Sequence, residues 1–467
     1  GGRKSAETAY AEHFLGWLAS REPALPDLEM AAVAEIDADF ENIRQAWTIG
    51  VEDERHDLIE ACLASLMQYC RLRGRMPDAH ALLSSAVVSA GPARVRARLF
   101  AQRADANESI GAFAQEIEDA RSALGSSDVT WAPRESIWLL NRHGYALRRL
   151  GDFAGALAVF DGAMTLCRQA EDDHSEAETL SHIGMVRWSQ GKIGDARILM
   201  ERAVAIIERG GYVDRVAAQA AFGLAETYVP TGETRKAIPL LERALDVARR
   251  ARDSYYELES LNDLGVIYGQ TGMQQWETAI RYSDETIALA KRIGTPHELG
   301  WCQWNLAFAY ASRCDFRRAF ECLGQSIGWA KYRGDPFLGA IAVLGRADIH
   351  FALGLYEMAR ADIQRASDTI KEIGTTMASG QLLSRSSSLK VRMGLEDAST
   401  GAMLEAALAA ATAATNHHHR REVLCALCEF HFASRLFNSV HQSARELIAF
   451  ARAEQHHGGY AQGLLWL

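Results

Sequence analysis

Proline is scarce in this chain, nine residues in 467, and it is missing from long stretches rich in Ala, Leu, Glu and Arg. Those stretches therefore favour helices. Long apolar runs are absent too: the nearest candidate, AMLEAALAAATAAT from 402, is short and broken by Glu405, so no membrane span is expected. GGRKSAETAY at the start has neither an initiator Met nor an apolar signal core, and reads as part of something longer. Positive charge is in deficit, with 50 Lys and Arg against 60 Asp and Glu and a net charge of -10. A phosphate backbone would be repelled on average, so nucleic acid is not an expected direct ligand. The eight cysteines, at 62, 70, 167, 302, 314, 322, 425 and 428, lack the spacing of a disulfide framework, which points to a reducing, cytoplasmic compartment. With 48% hydrophobic and 24% charged residues, the composition is that of a folded soluble protein rather than a disordered one.

What the chain does have is one sentence restated. LGDFAGALAVFDGA from 150 returns as QGKIGDARILMERA from 190 and TGETRKAIPLLERA from 231. Aligned on their turn residue, the units place Gly74, Gly111, Gly151, Gly191, Gly232, Gly272, Cys314, Gly354, Gly394 and Ser434 at intervals of 37 to 42 residues. Ala stands five residues after most turns, at 79, 156, 196, 237, 319 and 359, with Ala279 displaced by an insertion. Seven residues before the turn stands another small residue: Gly144, Gly184, Ala225, Gly265, Ala307 or Ala347. The pattern predicts helical hairpins. A turn glycine ends each first helix with positive φ, and small residues sit where two antiparallel helices cross closely.

These positions resemble the tetratricopeptide repeat (TPR), with its small residues at positions eight and twenty, Gly at fifteen, and Tyr268 or Tyr310 at eleven. The resemblance covers roughly residues 55–455 and is strongest over 137–370. It fades in the Gly111 unit and after Gly394, where Ser387, Ser399, Leu427 and Ser439 replace the expected residues. A period of about 40 rather than 34 adds roughly three residues, or ~4 Å, to each helix. The expected fold is all-α: a right-handed superhelical solenoid of about ten hairpins, first helices lining the concave side. Residues 1–54 form an N-terminal helical arm, 55–455 the solenoid, and 456–467 a tail or the start of a further helix.

The arm departs from the period. AEIDADFENIRQAWTIG contains Glu41, Asn42, Ile43, Arg44, Ala46 and Trp47, and resembles the segment after the winged helix in bacterial signal-transduction ATPases with numerous domains (STAND). That resemblance implies an upstream P-loop ATPase and winged-helix module and a C-terminal TPR sensor. The chain itself has no Walker A motif, because GGRKS lacks the glycine spacing. Its apolar end, GYAQGLLWL, suggests truncation, a docking partner or self-association, since solenoids usually finish with a polar cap.

Catalytic and metal motifs are weak. GQSIG at 324–328 fits G-x-S-x-G around Ser326, but lies inside an expected outer helix with no strand before it, so a packing role is preferred. NHHHRREVLCALCEFH brings His417, His418, His419, Cys425, Cys428 and His431 close in sequence without a second C-x-x-C. Buried thiols beside a polar loop are the preferred reading, and neither metal nor cofactor is expected. PHELG at 296–300 lacks a second zincin histidine, and DDHSE at 172–176 reads as a solvated loop.

The concave face is more informative. TPR register aims positions 2, 5, 9 and 12 of each first helix inward, with position 6 beside them, here Trp138, Asn141, Tyr145 and Arg148, then Glu178, Ser181, Met185 and Trp188, then Phe222 and Glu226. Asn262 follows, then Trp301, Trp304, Asn305 and Phe308, and then Leu344, Asp348 and Phe351. Rings so dense on a face that would otherwise meet water suggest a binding surface; the same rings can also pack against neighbouring repeats. Paired Lys and Asn on successive first helices are missing, so a free peptide carboxylate is not favoured. The expectation is a non-enzymatic sensor and autoinhibitory arm of a larger bacterial STAND-type signalling or transcription-regulatory protein. It would bind a protein, peptide or small-molecule effector in the groove; the alternative is a stand-alone adaptor that docks a peptide or helix of a partner.

Overall fold

A helix that must reverse within a few residues needs one residue with a left-handed backbone. In the computed structural model Gly74, Gly111, Gly151, Gly191, Gly354 and Gly394 all take φ between 66° and 83°. At Gly151 the closure is visible bond by bond. Its N–H donates to Arg148 O at 3.0 Å, Asp152 N–H donates to Leu147 O at 2.9 Å, and the Asp152 carboxylate accepts from Gly155 N–H at 2.9 Å to start the next helix. Cys314 holds the same conformation without being glycine (φ 60°), and in the last unit the left-handed residue is Arg435, one position beyond the aligned Ser434. Gly232 and Gly272 lie outside the described residues.

The structure describes residues 2–21, 30–89, 91–231, 233–270, 275–293, 296–333, 335–373, 379–395, 397–413, 417–453 and 457–467. Among them are 23 α-helices and no strand. The chain divides into two compact units, residues 1–223 with 251–253, and residues 224–250 with 254–467.

The first unit opens with α1 (Gly2–Ala19) and α2 (Met30–Glu52), continues through α3 (His56–Arg73), α4 (Met76–Val87), α5 (Ala93–Ile110) and α6 (Phe113–Leu124), then α7 (Pro133–Arg149), α8 (Phe153–Ala170), α9 (Asp173–Ser189) and α10 (Ile193–Gly210), and takes α11 (Arg215–Tyr228) as far as Gly223. The N-terminal helices share one core with the first hairpin: Leu15, Ile36, Phe40 and Trp47 are buried with Leu66, Tyr69 and Leu83. Trp47 Nε1 donates to Leu82 O on α4 at 2.9 Å, Ile43 and Ala46 are buried, and Asn42 joins Tyr10 of α1 (2.9 Å) to Asp39 (2.8 Å). Arg44 and Glu41 form a surface ion pair at 3.1 Å. Within hairpins, the small residue of the first helix meets a large one sixteen positions on. A Cβ on Gly144 would lie 2.5 Å from the Phe160 ring, and one on Gly184 would lie 2.8 Å from Met200.

The second unit takes the end of α11 and α12 (Thr234–Ala251) as far as Arg250, then runs through α13 (Ser254–Gln270), α14 (Trp276–Ile293), α15 (Pro296–Ser312), α16 (Phe316–Arg333), α17 (Pro336–Ala352) and α18 (Tyr356–Ile373) to α19 (Ser379–Arg392), α20 (Ala398–Ala413), α21 (His417–Ala433), α22 (Phe437–Ala453) and α23 (His457–Trp466). In each unit odd-numbered helices touch the next odd-numbered helix, as α3–α5–α7–α9 and α13–α15–α17–α19–α21 do. Among the described residues no comparable contact joins even-numbered helices from α4 onward. The side on which helices approach more closely is the inner one, so the odd-numbered helices form an inner layer.

Candidate functional site

In the first unit the inner layer is built from charges that neutralise one another between hairpins. Arg71 of α3 donates to Asp105 of α5 at 2.6 Å, and Arg142 of α7 pairs with Glu108 of α5. Arg215, at the start of α11, approaches the same Glu108 at 3.7 Å and Asp253 at 3.4 Å. Burying these groups is tolerable only because each faces an opposite charge. Glu116 of α6 is the exception: it is 0% exposed and neither carboxyl oxygen has a hydrogen-bond partner. Burial, reinforced by Glu108, pushes it up to about 9, so it holds its proton at neutral pH.

Tyr145 sits at the centre of this layer. It is 7% exposed, with its hydroxyl accepting from Arg149 at 2.8 Å and its ring edge-on to His182 at 6.0 Å. Arg142 and Arg148 lie over the ring at 5.4 and 5.1 Å. Burial pushes its phenol up. His182 stands 3.8 Å from Glu178, and its own burial lowers it. Asn141 is fully buried, with Oδ1 3.1 Å from the Thr179 hydroxyl, and so ties α7 to α9. Met185, Trp188 and Phe222 are half-buried.

Beside the charges a cavity of about 540 Å³ opens between α3, α5 and α7. Of the residues expected from the sequence it contains only Trp138. Its other walls include Met67, Gln68 and Arg71 of α3, Arg98 and Gln102 of α5, and Trp131 in the α6–α7 connection. Sequence register had little chance of finding it, because the Gly111 unit carries Glu116 where most units have alanine, so its alignment is weak.

The inner layer of the second unit is different. Near its start Glu226 and Asp263 face each other with Glu259 nearby. Burial, followed by the Glu226 charge, raises Asp263 far above the carboxylate range, while burial raises Glu226. Asn262 lies 3.4 Å from Asp263 and accepts from Asn305 at 3.0 Å, linking α13 to α15. On α15 the expected rings pack on one another: Trp304 is T-shaped to Phe308 (4.8 Å) and Trp301 (5.7 Å), and its Nε1 donates to Ile341 O at 3.3 Å. Leu344 is buried on α17, and half-buried Phe351 lies 5.7 Å from Tyr356. Asp348 is clasped by Arg385 of α19 through two bonds of 2.6 and 2.7 Å, and Arg385 also approaches Glu422 of α21 at 3.7 Å. Neither Arg385 nor Glu422 was anticipated.

Ser326 lies within α16 and is 0% exposed, away from any strand-to-helix elbow. DDHSE is not a loop but the cap and first turn of α9. Asp172 accepts from Ser175 N–H at 3.0 Å and His174 reaches Asp214 at 2.7 Å. PHELG opens α15. Cys428 is buried and the Cys425 thiol lies 3.3 Å from Gln462; the side chains of His417, His418 and His419 lie outside the described residues. Among the described residues no group of three or more His, Cys, Asp or Glu could hold a metal ion, and no helix is long and apolar enough to cross a membrane.

The tetratricopeptide repeat family model matches residues 135–209 and 216–275. No curated protein sequence matches the chain. Among solved structures, the apo form of the quorum sensor NprR from B. thuringiensis is 15% identical over 76% of this chain and 98% of its own, with a TM-score of 0.55. A signal transduction ATPase with numerous domains carrying a tetratricopeptide repeat sensor, from Pyrococcus horikoshii, is 11% identical over 83% of this chain and 57% of its own, with a TM-score of 0.51. Turn register, inner-layer contacts, matched repeats and shared fold agree: the chain is built of tetratricopeptide-type helical hairpins.

Proposed function

We propose that the chain is a non-enzymatic sensor arm of a larger bacterial STAND-type signalling or transcription-regulatory protein, working in the cytoplasm, and that a peptide or protein segment binds along its inner layer. The observation that carries this reading is the cavity between α3, α5 and α7, where two indoles and two side-chain amides meet on the inner side. Aromatic area of that kind supplies affinity, and amides fix orientation. Trp138, Tyr145, Arg148, Met185, Trp188 and Phe222 would extend the surface in the first unit, with Asn141 buried behind them. Glu226, Asn262, Trp301, Trp304, Asn305, Phe308, Asp348 and Phe351 would form one in the second. Support comes also from the fold shared with a quorum sensor and with a STAND protein bearing a TPR sensor. Binding signals only if the guest prefers one arrangement of the inner helices over another. An upstream ATPase and winged helix would read that change.

The test is selection from a random displayed peptide library on the immobilised chain, followed by binding to Trp138→Ala, Tyr145→Ala and Trp304→Ala. Selected peptides should lose roughly tenfold or more on at least one variant, the scale of a removed aromatic anchor. Peptides that bind all three like the parent would overturn the reading.

A further inference from the structure

We infer that the cavity between α3, α5 and α7 takes an uncharged aromatic group carried on an amide backbone, an aromatic residue within a peptide segment. The inference rests on the inner layer being the binding surface and assigns the guest's chemistry.

Three observations lead there. One wall is rigid and aromatic: Trp131 is pinned by its Nε1 donating to Ala123 O at 3.1 Å, and Trp138 packs in the same cluster. A pinned ring meets a flat guest without losing side-chain freedom.

The charges at the rim are already satisfied. Arg71 is held by Asp105 at 2.6 Å, and Glu60 accepts from Arg94 at 2.9 Å and approaches Arg98 at 3.3 Å. Glu135 accepts from Ala132 N–H at 2.9 Å in capping α7. Two acids and two arginines line the cavity, Glu60 and Glu135 with Arg71 and Arg98, so its lining carries no net charge. A charged guest would have to break one of these pairs and leave a partner stranded.

What remains unsatisfied is amide-like. Among the described residues the Gln102 side chain makes no hydrogen bond. Gln68 accepts from Arg71 at 3.1 Å through Oε1, and among the described residues its side-chain N–H groups have no partner. The Ser65 hydroxyl is fully buried without a partner. Two carboxamides on neighbouring helices offer both donors and acceptors, the complement of a peptide group. The volume of about 540 Å³ is that of a small-ligand site, enough for a ring and its flanking amides and too small for a folded partner.

Saturation-transfer NMR on the full chain tests this with N-acetyltryptophanamide, N-acetyllysinamide and indole as probes. The tryptophan amide should bind about tenfold more tightly than the lysine amide. Gln102→Ala should weaken it about fivefold, the loss of one neutral hydrogen bond, and leave indole unchanged; Trp138→Ala should abolish both. Equal or better binding of the lysine amide, or Gln102→Ala without effect on the tryptophan amide, would overturn the assignment. If Trp138→Ala fails to fold, Gln102→Ala decides. A blocked pentapeptide with tryptophan between alanines, binding more tightly than the single amide, assigns the site to a chain. Affinity confined to the single amide removes the peptide assignment. Selected library peptides sensitive to Trp304→Ala but indifferent to Gln102→Ala would leave the proposed function intact and refute this inference alone.

Discussion

The two inner layers bury charge by opposite means. In the first unit acids meet arginines: Asp105 with Arg71, and Glu108 with Arg142 and Arg215. In the second, acids first meet acids, Glu226 with Asp263, and hold a proton between them beside an Asn262–Asn305 bridge. Only later do Asp348 and Arg385 restore the arginine solution. Arginine keeps its charge at any ordinary pH, so the arginine-paired acids change little near neutrality, while Glu116, buried without a hydrogen-bond partner, departs from that design within the first unit. A carboxyl pair that must keep a proton titrates where cells live.

The largest effect should come from Arg142→Ala. It removes the guanidinium paired with Glu108 and leaves that carboxylate with Arg215 at 3.7 Å; losing one partner of a buried pair costs about 3–5 kcal/mol. Hydrogen exchange should show protection lost across α5–α9; protection unchanged in those helices would mean that the pair contributes nothing to the first unit.

Glu116→Gln follows. The native carboxyl is pushed up to about 9 by burial, above its unfolded value of about 4.3, so the native state holds the extra proton between these limits. Stability in the first unit should therefore fall as pH rises from about 5 to 9, by up to about 1.4 kcal/mol per unit, and the glutamine should flatten that slope. Chemical denaturation at several pH values, read on first-unit helices by exchange, checks the sign. A slope that survives the substitution assigns the titration elsewhere, and a matching flattening by Glu226→Gln in the second unit would show that each unit holds a buried protonated carboxyl and confine the contrast to the arginine-paired acids.

Gly144→Ala comes next. The added methyl would sit 2.5 Å from the Phe160 ring, and overpacking of this kind costs about 1–3 kcal/mol; a melting temperature equal to the parent's would show that α7 and α8 can part without penalty.

The smallest effect is Cys314→Gly. A non-glycine residue at φ 60° carries strain of about 1 kcal/mol that glycine relieves, partly offset by the added freedom of the unfolded chain. A slight gain in second-unit stability is expected, and a loss would show that the thiol itself contributes.

Much of the fold was legible because the repeat is punctuated by backbone requirements. A left-handed turn nearly demands glycine, and close helix crossing demands a small residue, so Gly151 and Gly184 announce themselves. Arg435 and Cys314 show the limit, since neighbours can hold an ordinary side chain in the strained conformation. The site was less legible. TPR register picked out Trp138 and Tyr145, but which polar groups meet depends on contacts 34 to 38 residues apart, such as Arg71 with Asp105 or Arg215 with Asp253, and no local pattern encodes those. Asp348 looked available in the sequence and is clasped by Arg385, a residue on the next inner helix that charge counting could not pair with it.

Repeat arrays are usually stitched neighbour to neighbour, and such an array can unzip one hairpin at a time. Glu108 and Arg215 are 107 residues apart and meet over two intervening hairpins. That stitch gives α5 and the start of α11 a direct ionic link that nearest-neighbour stacking alone does not supply.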